Sequence, residues 1–295
     1  MSKKGLKTPL RYPGGKSRAC TKMGQFFPDL REYVEYREPF LGGGSVAIHV
    51  SKLYPHLKIV VNDLYEPLMN FWSNLQMFGT ELYTELKNLK ITNCNQDSAR
   101  CLFLEMKDVI NDKTKTDLER AVAFYVVNKC SFSGLTESSS FSAQASDSNF
   151  SMRGIEKLPE YSDIISHWHI NSYSYEYCFQ NTIHDGLFMY LDPPYDIKDN
   201  LYGKKGDMHK RFDHDKFAED CDRHTAHMMV SYNSSQLVKD RFKDWTATEF
   251  DLTYTMRSVG EYMRDQQQRK ELLLLNYGTE RLVELYKPDK EKSNR

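Results

Sequence analysis

Leu191-Asp192-Pro193-Pro194-Tyr195 sets a carboxylate, two imino acids and an aromatic ring directly behind the apolar run Leu187-Phe188-Met189-Tyr190. A Pro-Pro pair cannot continue a hydrogen-bonded ladder, so it ends the strand and fixes the backbone. The Pro193 carbonyl is left to accept a hydrogen bond, Asp192 adds a second acceptor, and Tyr195 adds a stacking face. Two acceptors beside a ring suit a planar group that carries –NH₂. The end of such a strand is also where α/β sheets place their ligand crevice. A plain turn with an exposed Asp explains fewer of the four residues.

A second constellation is Glu38-Pro39-Phe40-Leu41-Gly42-Gly43-Gly44-Ser45. Three successive glycines let a ligand approach the backbone closely, since no Cβ intervenes. Gly42-x-Gly44-x-x-Ala47 fits a dinucleotide fingerprint, and Asp63 lies 19 residues beyond Gly44, where an acid reaches ribose hydroxyls. NAD and S-adenosylmethionine both satisfy this half of the pattern. Arg11-Tyr12-Pro13-Gly14-Gly15-Lys16-Ser17 looks like the end of a phosphate loop, but Leu10 stands where that loop needs a glycine. It reads equally as an ordinary Pro-Gly turn and as a turn that presents Tyr12 for stacking and Lys16 as a cation.

Other residues carry less. His224-x-x-His227, with Asp220 and Asp222 nearby, lacks a third strong ligand and reads as a solvated helix face, so no metal is expected. Ser45 has no Gly-x-Ser-x-Gly elbow around it. Lys198, Lys204, Lys205, His209, Lys210 and Arg211 follow the Asp-Pro-Pro-Tyr motif and are as compatible with a DNA backbone as with plain solvated surface.

The elements that must position these groups alternate. Tyr33–Tyr36 reads as a strand before the glycine loop and a helix from about Ser45. Lys58–Val61 reads as a second strand ending at Asn62-Asp63, with a helix through Met77. Between about Glu81 and Asn128 the period becomes helical, with one helix over Leu102–Ile110 and another over Leu118–Val126. Ser131 to Ser151 holds nine serines and predicts a long, mobile loop. Strands resume at Trp168–Ile170, Leu187–Leu191, Met228–Ser231, Thr248–Phe250 and Glu271–Leu275. A parallel sheet built from residues 1–80 and 166–280 is expected, with 81–165 inserted and 281–295 a polar tail.

Composition limits what such a protein can be. The 295 residues carry 40 Lys+Arg against 41 Asp+Glu, so nucleic acid could be bound only through local basic patches. The apolar run Ala121–Val127 is too short to span a bilayer, and Met1–Gly5 leads into no apolar segment, which points to a cytosolic protein. Cys20, Cys94, Cys101, Cys130, Cys178 and Cys221 form no Cys-x-x-Cys pair and read as reduced, mostly buried thiols.

Taken in order, the motifs resemble those of the Dam-type, D12-class N6-adenine DNA methyltransferases. The matching segments are Tyr12–Lys16, Glu38-Pro39-Phe40 with its glycine loop, Asn62-Asp63, Asn128-Lys129 with Phe132-x-Gly134-Leu135, and Asp192-Pro193-Pro194-Tyr195. Ser231-Tyr232-Asn233 and Arg257-Ser258-Val259 complete the series, so the likeness runs from about residue 7 to about 277. It implies an α/β, Rossmann-like methyltransferase fold with a mainly helical target-recognition insertion at 81–165. It implies S-adenosylmethionine as cofactor, held by Tyr12, Lys16, Glu38, Phe40, Gly42, Asp63 and Asp192, and double-stranded DNA as partner. Asp192, Pro193 and Tyr195 would face the target adenine. Two positions depart from the pattern: Ser174 stands where relatives often carry an acid before an aromatic, and Ser133 replaces an Asn. Two other readings compete. A nicotinamide-dependent oxidoreductase would leave Tyr12–Lys16 and Asp192–Tyr195 without a role, and a non-catalytic DNA-binding protein would not need the intact Asp-Pro-Pro-Tyr.

Overall fold

The computed structural model of the chain describes residues 7–17, 19–134, 139–180, 184–195, 212–251 and 270–278. A short helix, α1 (Cys20–Met23), leads to β1 (Glu35–Glu38), α2 (Ser45–Leu53), β2 (Lys58–Asn62) and α3 (Glu66–Met77). A helical stretch follows: α4 (Gly79–Thr92), α5 (Gln96–Val109), α6 (Asp117–Cys130), α7 (Ala143–Ser148), α8 (Met152–Ile155) and α9 (Leu158–Ile165). The chain then returns to the sheet through β3 (His169–Asn171), α10 (Glu176–Gln180), β4 (Leu187–Leu191), α11 (His214–Arg223), β5 (His227–Asn233), α12 (Gln236–Arg241), β6 (Thr246–Asp251) and β7 (Lys270–Leu275).

The seven strands form one sheet in the order β3-β2-β1-β4-β5-β7-β6. The first five are parallel, while β7 runs antiparallel between β5 and β6. Strand order reverses between β1 and β4, so a crevice opens there at the carboxyl ends of the parallel strands. Because β7 runs the other way, its first residues lie at that same edge, with Glu271 opposite Asn233.

Side chains alternate across a strand, and the core divides accordingly. Phe188 and Tyr190 of β4 join one buried cluster with Tyr36, Ile59, Val61, α2 and α3. Leu187, Met189 and Leu191 join a second with Phe217 of α11, Val238 of α12 and alternate residues of β5 and β7. With both faces covered, an uninterrupted apolar run such as β4 is what a central strand needs.

The helical stretch packs onto the first cluster through α6. The Thr116–Glu119 capping box starts that helix, and everything from Arg120 to Cys130 is buried. Arg120 is paired with Glu66 of α3 at 2.6 Å and with Asp117 at 3.1 Å, which offsets the cost of burying its charge.

The α/β, Rossmann-like architecture expected from the motif order is the one observed, with three local differences. The first strand covers Glu35–Glu38 rather than Tyr33–Tyr36, because Arg37 and Glu35 neutralise one another at 2.6 Å inside the sheet. Helix α4 adds a further helix to the two named within the stretch of helical period. The serine-rich segment is not one long loop: Ser142 and Ser151 cap α7 and α8, and Ser146 bonds back to Ala143. Serine there supplies the helix-terminal acceptors that composition alone hides. The basic cluster at 198–211, Leu135, the Arg257-Ser258-Val259 segment and the tail at 281–295 lie outside the described residues. Among the described residues no helix is long and apolar enough to cross a membrane, and no group of side chains could hold a metal ion. The six cysteines are free, with Cys94 and Cys101 exposed and the others buried.

Candidate active site

The N-terminal turn is built by Tyr12-Pro13-Gly14-Gly15, closed by the Gly15 amide on the Tyr12 carbonyl at 3.1 Å. Pro13 fixes the second position, and Gly14 takes the left-handed backbone (φ 71°) that the third requires. The turn delivers Lys16 into the molecule, where it is only 3% exposed. The Lys16 ammonium donates to Asp192 Oδ1 at 2.9 Å, to the Tyr195 hydroxyl at 2.7 Å and to the Gly14 carbonyl at 3.2 Å. It also lies 3.0 Å from Glu271 Oε1.

The Tyr12 ring lies across the glycine loop. A Cβ on Gly42 would come within 2.8 Å of it, and one on Gly43 within 2.9 Å of the Tyr12 Cβ. Gly44 has φ 66° and the Trp72 ring where a Cβ would go, so the loop can close on its neighbours only with glycine. Trp72 donates its indole N–H to the Gly42 carbonyl at 3.3 Å. Asp63, at the end of β2, accepts from the Gly42 amide at 2.9 Å and from the Tyr65 amide at 3.0 Å. Burial pushes its pKa up, and these amides work against that rise.

Glu38, at the end of β1, is 2% exposed and accepts from Tyr36 at 2.6 Å. Burial drives its pKa well above the usual carboxylate range, and nearby Asp192 and Asp63 push the same way. Phe40 stacks on Tyr175 with ring centroids 5.6 Å apart.

Asp192 emerges from β4 with its carboxylate held on one oxygen. Lys16 and the Ser231 hydroxyl both donate to Oδ1, the latter at 2.7 Å, and no donor among the described residues reaches Oδ2. Burial raises the Asp192 pKa, Lys16 lowers it, and Glu271 raises it again. Tyr190 meets Ser231 at 2.9 Å from beneath.

These groups line one cleft of about 430 Å³. Tyr12, Lys16, Glu38, Phe40, Gly42, Asp63, Asp192, Pro193 and Tyr195, separate in sequence, all border it. Ser174, Tyr175 and Glu176 border it too. Glu176 Oε2 is buried there without a hydrogen bond among the described residues, so an acid does reach the wall where the sequence shows only Ser174. His224 and His227 play no part: His227 faces Tyr33 at 2.5 Å.

Two further residues were not singled out as site residues by sequence. Asn128, at the end of α6, accepts from the Arg11 amide at 2.9 Å and donates to its carbonyl at 2.7 Å, pinning the turn that carries Tyr12 and Lys16. The motif order includes Asn128, but no local signal gives its partner. Glu271 had no signal beyond being one acid before four leucines.

The cleft can hold a nucleoside-containing molecule against glycine backbone and aromatic faces, with two acceptors, Asp192 and the Pro193 carbonyl, at one end. Comparison with known proteins agrees with that chemistry. Residues 12–256 match the model of the D12 class N6 adenine-specific DNA methyltransferases. A type II methyltransferase of Lactococcus lactis subsp. cremoris is 24% identical over 293 residues, 94% of this chain and 98% of that protein. A type II methyltransferase of Methanocaldococcus jannaschii is 27% identical over 138 residues, 44% of this chain and 47% of that one. A DNA N-6-adenine-methyltransferase of Escherichia phage P1 is 28% identical over 126 residues, 43% of this chain but 15% of the phage protein.

Proposed function

The chain belongs to the D12 class N6 adenine-specific DNA methyltransferase family, and we propose that it transfers a methyl group from S-adenosylmethionine to adenine N6 within a specific sequence of double-stranded DNA. Membership gives the Tyr12–Lys16 and Asp192–Tyr195 segments a role that a nicotinamide-dependent oxidoreductase would not.

The residues present fit the cofactor. Three glycines whose Cβ atoms would strike Tyr12 or Trp72 leave bare backbone beside the cleft, and Asp63 offers a carboxylate to ribose hydroxyls. Tyr12, Lys16, Glu38, Phe40, Gly42, Asp63 and Asp192 would hold it, with Phe40 and Tyr175 supplying the apolar wall and Glu176 a polar end. When bound, the sulfonium supplies an electrophilic methyl group.

The chain's own task is to make a poor nucleophile attack. The lone pair of an adenine amino nitrogen is delocalised into the ring. Lys16 and Ser231 hold Asp192 by Oδ1, which leaves Oδ2 to accept one amino hydrogen, and the Pro193 carbonyl accepts the other. Two acceptors out of the ring plane favour a pyramidal nitrogen with a localised pair, and a preorganised pair of this kind needs no reorganisation during the reaction. The adenine must leave the duplex to reach the cleft, and Tyr195 offers the face on which it stacks. The helices and serine-rich segment of 81–165 would read the target, coupled to the cleft by the Asn128–Arg11 contact.

The observation that carries this reading is the one-sided grip on Asp192. Replacing Asp192 with Ala should lower single-turnover methyl transfer, with both ligands saturating, by about 10²–10³. A folded Asp192→Ala protein that transfers within a few-fold of the parent rate would mean that Asp192 is not the acceptor.

A further inference from the structure

Glu271 is an outlier in its strand. Lys270-Glu271-Leu272-Leu273-Leu274-Leu275 feeds four leucines into the core, yet its acid is just as buried, at 2% exposure. Burying a lone carboxylate is costly unless it is paired, and a strand needs no charge at that position. The antiparallel direction of β7 explains the location, since it brings the start of the last strand to the crevice edge beside Asn233.

Two of its partners are groups of the cleft. Lys16 lies 3.0 Å from Glu271 Oε1, and the Tyr195 hydroxyl donates to that same oxygen while accepting from Lys16 at 2.7 Å. One buried ammonium is therefore shared between two carboxylates, Asp192 on one side and Glu271 on the other. Were Asp192 the only anion, Lys16 would neutralise it fully and weaken it as an acceptor.

We propose that Glu271 is a positioning residue for methyl transfer: it takes part of the Lys16 charge and anchors the Tyr195 hydroxyl, so that Asp192 stays electron-rich toward the adenine amino group and the Tyr195 ring stays fixed. This rests on the reading of Asp192 as the acceptor and extends it to a residue from the opposite end of the chain.

Charged and polar groups face Asp192 from each surrounding element: Lys16 from the N-terminal turn, Glu38 from β1, Tyr190 from β4, Ser231 from β5 and Glu271 from β7. Of these, Glu271 raises the Asp192 pKa and Lys16 lowers it. Removing the Glu271 charge lets Lys16 act on Asp192 undivided, so Asp192 stays ionised to lower pH while becoming a weaker acceptor.

The experiment measures single-turnover transfer from radiolabelled S-adenosylmethionine to a random-sequence duplex library across pH. It compares the parent, Glu271→Gln, Tyr195→Phe and the double variant. Glu271→Gln should be slower by about 10–100-fold on its plateau, since one preorganised electrostatic partner is lost. Its acid limb should move to lower pH, and its calorimetric affinity for S-adenosylhomocysteine should stay within about threefold of the parent. Tyr195→Phe keeps the stacking ring and should still be slowed, and the double variant should be little worse than the slower single one, because the two changes break the same contact. A Glu271→Gln protein that is folded and as fast as the parent overturns the proposal, and so does one that is slower with its acid limb unmoved. Should Glu271→Gln not fold, a parent-like rate in Tyr195→Phe overturns it alone. A parent protein that methylates no adenine overturns the underlying reading, whereas an active parent with a silent Glu271→Gln overturns only this one.

Discussion

Asp63 shows how one carboxylate can serve both the fold and a ligand. Its two oxygens accept the Gly42 and Tyr65 amides, so it braces the glycine loop from the end of β2. Held there, it keeps acceptor capacity for ribose hydroxyls, because each carboxylate oxygen can take more than one hydrogen bond. Losing charge-assisted contacts worth about 1.5–3 kcal/mol should weaken S-adenosylmethionine binding by roughly tenfold or more in Asp63→Ala. Calorimetry on the folded variant is the check, and an unchanged affinity would remove Asp63 from the cofactor site. At this scale the sequence was unusually readable. Asp192, Tyr195, Lys16 and Asp63 stood out because each sits beside proline or glycine, or at the end of an apolar strand. Glu271 did not, because what makes it special is the direction of β7, which no local pattern encodes.

Among the elements, the glycine loop is the most constrained. Gly44 combines a left-handed backbone, φ 66°, with the Trp72 ring 2.7 Å from where a Cβ would sit. Gly44→Ala should therefore cost about 2–4 kcal/mol, from backbone strain and from displacing a packed ring. Gly24 is the contrasting case. Its backbone is helical and its nearest neighbour, His49, is 3.9 Å from a built Cβ. Gly24→Ala should be neutral or stabilising by about 0.4–1 kcal/mol. Denaturant midpoints for the two variants test the contrast. Elements with an apolar period were readable in sequence, β2, β4 and α3 nearly to their ends. Glu35–Glu38 was misplaced because its buried polar residues are paired with each other, and pairing is invisible in a hydropathy pattern. Residues 131–151 looked featureless because serine, poor in helix interiors, is what starts α7 and α8.

For the molecule as a whole, the buried acids of the cleft should leave a signature in stability against pH. Glu38 has a folded pKa well above its unfolded one, so the folded state holds a proton that the unfolded state has released. Stability from this group is present below the unfolded carboxylate range, near about 4.3, and is lost as pH rises toward the folded pKa. Glu38→Gln removes that penalty. The variant should gain on the parent as pH rises from about 5 to 7.5, and the gap should close toward pH 4. Urea unfolding at several pH values measures it. A gap independent of pH would show that Glu38 is ionised in the folded protein.

The two carboxylates that share Lys16 belong to strands laid down far apart in time. Lys16 and the glycine loop leave a ribosome early, Asp192 later, and Glu271 in the last strand of the sheet. Contacts of such long sequence separation are slow to form, because much chain must be ordered before they reward it. A chain that stops short of β7 therefore lacks the Glu271 carboxylate that meets Lys16 and the Tyr195 hydroxyl. Assembly of the Lys16 cluster is thus tied to closure of the sheet: its second carboxylate arrives only with the strand that lies between β5 and β6.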